Sequence, residues 1–172
     1  LWQAPVNPSG PLPNSNPNTW GTDFEFGVPS FADYSVVLDT ALVVANANSM
    51  IELYAWWNTE FGWDGCNFKV SIDGGQTWEV VEPVGGYTLP EMFFGSSNPL
   101  TGEPAWTGQS AGWQFVQIPL GAYVGEALLF RFHYGTSDWS QGFAGFYFDD
   151  VVIWGLEEAV FAPVAGTVTL DG

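Results

Sequence analysis

The sequence predicts an all-β fold, a jelly-roll β-sandwich of two antiparallel sheets, from three observations. Met50–Trp57 alternates strictly, with Ile51, Leu53, Ala55 and Trp57 on one side and Glu52, Tyr54 and Trp56 on the other. That is the period of a half-buried strand. Short apolar and aromatic runs recur along the chain, separated by Gly, Pro, Asn and Asp turn signals, as in sandwiches and jelly rolls. No segment carries an apolar stripe of helical period over three turns.

Taken in order, residues 1–19 are rich in Pro, Asn and Ser and read as an irregular arm that Leu1, Trp2 and Val6 can anchor. The N-terminus has neither an initiator Met nor a signal-like pattern, and reads as a mature or excised fragment. Residues 20–156 form the sandwich domain. Tyr34–Leu38 and Asp39–Val44 are candidate strands, and Asn46–Ser49 is a turn before Met50–Trp57. Phe68–Ile72 continues as a strand into a tight turn and Trp78–Glu82. Residues 83–112 make a long insertion of the kind that is commonly functional or mobile. Strands resume at Trp113–Leu120, Ala127–Tyr134 and Gly145–Trp154. Residues 157–172 read as an acidic linker and the first strand of a following domain, able to pair with an exposed sheet edge.

At 172 residues the chain suits one domain, and with 47% hydrophobic and 17% aromatic residues it can fill a sizeable core. No apolar run approaches the roughly 20 residues that span a bilayer. Nineteen acidic residues stand against two basic ones, Lys69 and Arg131, for a net charge of −17. The chain therefore lacks the Lys and Arg that nucleic acid or an anionic membrane requires, and its field favours cations, Ca²⁺ included. One cysteine, Cys66, excludes an intrachain disulfide, and with one His a Cys/His zinc site cannot be assembled.

Ser71-Ile-Asp73-Gly-Gly75-Gln-Thr77-Trp78 fits the Asp-box pattern S-x-D-x-G-x-T-W. Ser71 and Asp73 suit hydrogen bonds across the turn, Gly74 and Gly75 suit positive φ, and Trp78 suits packing over the hairpin. The motif recurs once per blade in sialidase propellers; a single copy without an internal repeat excludes that fold. Asn58–Asn67 is an acidic aromatic loop. It offers Glu60, Asp64 and Asn67 as oxygen ligands for Ca²⁺, or it is a solvated turn pinned by Phe61 and Trp63. Asp149 and Asp150 sit side by side in an apolar strand with side chains on opposite faces. At least one lies against the core and needs a cation or a set of hydrogen bonds.

Catalysis finds little footing. His133 alternates with Phe132 and Tyr134 in a strand, no Ser or Cys nucleophile motif is present, and Glu25, Glu52 and Glu60 form no recognised glycosidase spacing. Among ten tryptophans, Trp56, Trp63, Trp106, Trp113 and Trp139 are candidates for stacking on sugar rings, although aromatics also fill helix-free cores.

An ordered series of segments adds a resemblance. It comprises Trp20-Gly-Thr, Ala32-Asp-Tyr-Ser35, Trp57-Asn-Thr-Glu60, Asp64-Gly, Val70–Trp78, Gly112-Trp113, Leu129-Phe-Arg-Phe132 and Gly145-Phe-Tyr-Phe-Asp-Asp-Val151. The series resembles the MAM-like (galactose-binding-like) jelly-roll modules beside the catalytic domain of secreted immune-inhibitor-A-type bacterial metallopeptidases. It is also similar to cleaved-adhesin, gingipain-type domains. The resemblance implies a non-catalytic module with structural Ca²⁺, ligated by Asp149 or Asp150 with Asp33, Glu60 and Asp64 from the matching loops. The peptidase zinc signature H-E-x-x-H is absent. Residues 164–172 resemble the opening strand of a carboxypeptidase-regulatory-like domain. The expectation is a binding or scaffolding module of an extracellular or cell-surface bacterial protein. Its partners are other domains of its polypeptide, an extracellular protein or a glycan, and carbohydrate binding through exposed Trp is the alternative.

Overall fold

The alternation of Met50–Trp57 becomes the central strand of a sheet. The computed structural model describes residues 10–15, 19–22, 27–38, 40–139 and 142–158; the arm residues 1–9, the carboxylate Glu25 and the tail 159–172 lie outside that set. In chain order the first strands are β1 (Trp20–Gly21), β2 (Asp33–Val37), β3 (Leu42–Val44), β4 (Met50–Asn58) and β5 (Gly65–Ser71). There follow β6 (Glu79–Val80), β7 (Gln114–Pro119), β8 (Ala127–Gly135), β9 (Gly145–Trp154) and β10 (Leu156–Glu158). They form two antiparallel sheets packed as a β-sandwich. One sheet runs β1-β9-β4-β7; the other runs β10-β3-β8-β5-β6, with β2 pairing β8 beside β3.

The core lies between the sheets. Ile51, Leu53, Ala55 and Trp57 of β4 are all buried, facing Cys66, Phe68 and Val70 of β5 and Leu128, Phe130, Phe132 and Tyr134 of β8. Each large apolar side chain so buried stabilises the fold by roughly 1.5–3 kcal/mol. Rings run through this core: Phe146 stacks on Trp106 at 5.5 Å and on Trp57 at 6.5 Å, and Phe132 stacks on Phe148 at 4.5 Å.

Strand β5 is buried on both faces. The long insertion explains this, because residues 89–106 fold back over the outer face and bridge Leu89 to Ala105 and Cys66 to Trp106. Met92, Leu100 and Ala105 make a second, small core there. The segment therefore packs as part of the domain.

Two boundaries differ from expectation. Leu156–Glu158, read as linker, pairs with Leu42–Val44 as an edge strand, so the sandwich extends through Glu158. The alternation of β9 also breaks. Glu52 pairs with Val152 and Tyr54 with Asp149, so Leu53 faces two residues, Asp150 and Val151. The extra residue is a β-bulge. Asp150 takes φ of 52° there, a conformation that short Asp side chains tolerate better than most.

Candidate functional site

The bulge decides what Asp149 and Asp150 do. Their carboxylates do not part to opposite faces but both meet the N-terminal arm. The main-chain N–H groups of Asn14 and Ser15 donate to Asp149 Oδ2 at 2.9 and 3.2 Å. The Asn14 amide donates to Asp150 Oδ2 at 2.9 Å, and the Ser15 hydroxyl donates to Asp150 Oδ1. Asp149 Oδ1 accepts the N–H of Asp150 at 2.8 Å. Asp149 is 8% exposed, so this hydrogen-bond set supplies the compensation a buried carboxylate needs.

The five carboxylates proposed as calcium ligands do not converge. Asn58, at the start of the acidic loop, pairs with Gly145, four residues along β9 from Asp149, which separates the two regions by roughly 13 Å. Asp33 flanks Gly135 on the side opposite Gly65, and its carboxylate meets His133 Nε2 at 2.8 Å. Among the described residues no three His, Cys, Asp or Glu side chains are placed to hold a metal together. The loop carbonyls of Glu60 and Asp64 accept the N–H groups of Trp63 and Asp64 and the hydroxyls of Thr59 and Thr107. Donors thus occupy the main-chain carbonyls of this loop, and the loop and the Asp149–Asp150 pair form two separate sets of oxygens rather than one Ca²⁺ site. We expect Asp149→Ala to cost about 1–3 kcal/mol in chemical denaturation, through three N–H groups left without their acceptor. A chelator should leave the melting temperature in place. A chelator-induced fall that Ca²⁺ reverses would replace the arm latch with an ion site.

Glu60 and Asp64 do come together, in a tightly held loop at one end of the sandwich. The N–H of Asp64 donates to Glu60 O at 2.9 Å, and Asp64 Oδ1 accepts the N–H of Ser137 at 2.7 Å. Burial first, then the charges of Asp64 and Asp138, raise the Glu60 carboxyl above its ordinary value. Asn98 donates to the carbonyls of Trp63 and Gly135, and Thr107 accepts the N–H of Gly62 at 2.9 Å. The loop is thus pinned by Thr59, Asn98 and Thr107 rather than by Phe61, which faces solvent.

Three aromatic rings meet at this loop, and three more aromatic residues are carried on segments that adjoin it or hydrogen-bond to it. Phe93 meets Phe61 at 6.1 Å and Trp63 at 5.4 Å, both edge to face. The approach of Phe93 requires Gly62, where a Cβ would sit 2.3 Å from the ring and φ is +78°. Phe94 follows on the same hairpin. Phe31 donates its N–H to Ser137 O, and Trp139 donates its N–H to Ser137 Oγ, so both attach to the segment that Asp64 holds. Phe94 and Trp139 are 67% and 62% exposed. The sequence pointed to Trp63 and Trp139 but missed Phe31, Phe93 and Phe94, whose turns and loop carry no periodic signal.

The other candidate tryptophans are placed differently. Trp56 packs edge-on against Tyr147 at 5.5 Å on the outer sheet face. Trp106 lies in the core, and the Trp113 indole donates to Leu12 O at 3.0 Å, holding the arm.

All three basic side chains share the outer face of the second sheet. Lys69 pairs across strands with Arg131, and Asn67 with His133. Lys69 Nζ contacts Glu103 at 2.6 Å, and Arg131 stacks 4.4 Å over the Trp78 ring centre. Burial holds the His133 imidazole below its ordinary value, against the hydrogen bond that His133 donates to Asp33. This contribution to stability is complete above pH about 6.5 and shrinks as pH falls toward the folded-state value.

In the Asp box, Asp73 accepts the N–H groups of Gln76 and Thr77, both at 2.9 Å, and the Thr77 hydroxyl at 2.6 Å. Ser71 Oγ accepts the N–H of Gly75 at 2.8 Å, and the Trp78 indole donates to Gly75 O at 3.1 Å. The Thr77 bonds foremost lower the Asp73 carboxyl from 3.8 to about 2. The stability it contributes is therefore complete above pH about 3.8 and is lost as pH falls through about 2. A ¹³C carboxyl titration should place its midpoint near 2; a midpoint at the unperturbed value would refute the turn network. The polar atoms of this motif are committed to the turn.

A scan against protein-family models finds no match for this chain, and a search of curated proteins finds no significant relative.

Proposed function

We propose that this chain is a non-catalytic, adhesion-type binding module of a larger secreted or cell-surface bacterial protein. It meets an extracellular protein partner through its aromatic loop end. The observation that carries the proposal is the exposed, contacting pair Phe61 and Phe93, with the exposed Phe94, Phe31 and Trp139 on adjoining segments that hydrogen bonds hold in place. Aromatic side chains dominate binding energy at interfaces, and a preformed surface loses little entropy on association. Glu60, Glu91 and Asp138 lie within two residues of Phe61, Phe93 and Trp139 in the chain, which carries −17 overall. The partner surface is therefore neutral or basic, with Lys or Arg side chains suited to both the rings and the carboxylates.

The jelly-roll, MAM-like reading belongs to the same proposal, and strand order supports it. With β2 and β3 counted as one interrupted strand and the short edge strand β10 set aside, the sheets run 1-8-3-6 and 2-7-4-5 in chain order. This interleaving suits two Greek keys rolled together. The test is binding to immobilised extracellular proteins and glycans, comparing the native chain with the double variant Phe61→Ser, Phe94→Ser. The native chain should bind a protein, and the variant should lose at least about tenfold (about 1.4 kcal/mol) with an unchanged melting temperature. Retention of binding by the variant, or binding to glycans alone, would reject this surface or this partner class.

A further inference from the structure

An apolar groove of about 310 Å³ lies between β9 of the first sheet and β2 of the second. Phe148, Val151 and Ile153 line it from one sheet and Val36, Leu38 and Phe130 from the other. Arg131 is the one charged residue at it, and its guanidinium is engaged over Trp78. Val37, Leu38, Val151 and Ile153 are exposed. Both strands are edges here. β1 covers β9 only at Tyr147 and Phe148, and β2 has β8 as its one strand partner among the described residues. The N–H of Leu38 donates to Phe130 O at 3.0 Å. By alternation Val36 and Tyr34 also bond to β8, while Val37, Ser35 and Asp33 turn their N–H and C=O groups outward. An unpaired edge beside an open apolar groove is a template for one more strand.

The heading of β10 points a segment of the chain at this edge. β10 runs antiparallel to β3, from Leu156 opposite Val44 to Glu158 opposite Leu42. β3 and β2 lie end to end along β8, with Leu42 opposite Leu128, Val37 opposite Arg131 and Asp33 opposite Gly135. Residues after Glu158 that keep this heading pass Leu42 and run along the outward edge of β2. From Leu128 to Gly135 the path is roughly 23 Å, and residues 159–170 can extend to about 40 Å. That segment carries no charged residue, and Val164, Val168 and Leu170 alternate with Ala165, Thr167 and Thr169. This is strand period and strand composition. The arm residues 1–9 are less suited, because Leu12 is held by Trp113 beside β7, the far edge of the first sheet.

We propose that residues 164–170 add to β2 as an antiparallel strand and close the groove with their apolar side chains. Pro163 has no N–H to give, so pairing begins after it. Tyr34, Val36 and Leu38 share the side of β2 that meets the core and the groove. Directly opposite residues of an antiparallel pair share a face, so inward valines stand opposite these three. Val164 then lies by Leu38, Gly166 by Val36 and Val168 by Tyr34. Ala165, Thr167 and Thr169 exchange main-chain hydrogen bonds with Val37, Ser35 and Asp33. A slip of one residue would turn both valines to solvent. The segment thereby completes this sandwich instead of opening a following domain. The inference stands apart from the binding-module reading and from the aromatic loop end.

The experiment measures amide hydrogen exchange by NMR in the native chain and in the double variant Val164→Asp, Val168→Asp. In the native chain the outward N–H groups of Ser35 and Val37 should exchange at least about a hundredfold more slowly than in an unstructured peptide. The double variant sets carboxylates against the groove and should raise both rates at least about tenfold, while the β4 amides keep their protection and report an intact fold. If the double variant does not fold, Val168→Asp alone carries the comparison. Phe61→Ser, Phe94→Ser should leave both rates unchanged, which separates this groove from the loop end. Exchange of Ser35 and Val37 at the unstructured rate in the native chain overturns the proposal. Protection that every folded variant retains also overturns it. Protection that falls on dilution, with a dimer seen by sedimentation, assigns the strand to a second copy and overturns pairing within one chain.

Discussion

Glu103→Ala is expected to lower the unfolding free energy by about 2–3 kcal/mol. Lys69, whose side chain is 5% exposed, rests its ammonium group on this carboxylate, and the Asn67 amide donates to it at 2.8 Å. Removing Glu103 leaves a buried charge without its counter-ion, which costs about 3–5 kcal/mol in fully enclosed pairs. Glu103 is one-third exposed, so solvent entering the gap reduces the figure. The double variant Lys69→Met, Glu103→Gln should recover most of the loss, since a matched neutral pair removes the charge as well as its partner. Urea denaturation of the two proteins measures both effects. A single-variant loss below about 0.5 kcal/mol would show that Lys69 finds water or another partner.

Phe146→Ala is expected to cost more, about 3–5 kcal/mol, as large-to-small changes at fully enclosed aromatic positions do. Phe146 has no exposed surface and sits between Trp57, Trp106 and Phe132. The void would lie against Trp57 and Trp106, so near-ultraviolet circular dichroism should change along with stability. Phe115→Ala, on the exposed face of β7, is the control, with a change within about 0.5 kcal/mol. Equal losses at the two positions would contradict the assignment of Phe146 to the shared core.

Much of the frame is legible in the residues. The strict alternation of β4 specifies which side faces the core, because a half-buried strand leaves little choice. The Asp-box turn is equally local, since Ser71, Asp73, Thr77 and Trp78 bond within a few residues of one another. The aromatic loop end is less legible. Trp63 and Trp139 were visible as candidates, but Phe31 and Phe93 are placed by contacts to Ser137 and Gly62, far away in the chain. Trp57 was readable only as a core residue.

The sequence by itself determined an all-β chain, its main strands, its acidic field and the need of at least one of Asp149 and Asp150 for compensation. Those follow from local periodicity, composition and the cost of burying a carboxylate. Only the tertiary structure decided how that need is met. The donors are Asn14 and Ser15, between 134 and 136 residues away, and the bulge at Asp150 turns both carboxylates toward them. Pairings across that separation, and a one-residue slip in a ladder, leave no periodic trace in a chain read one residue after another.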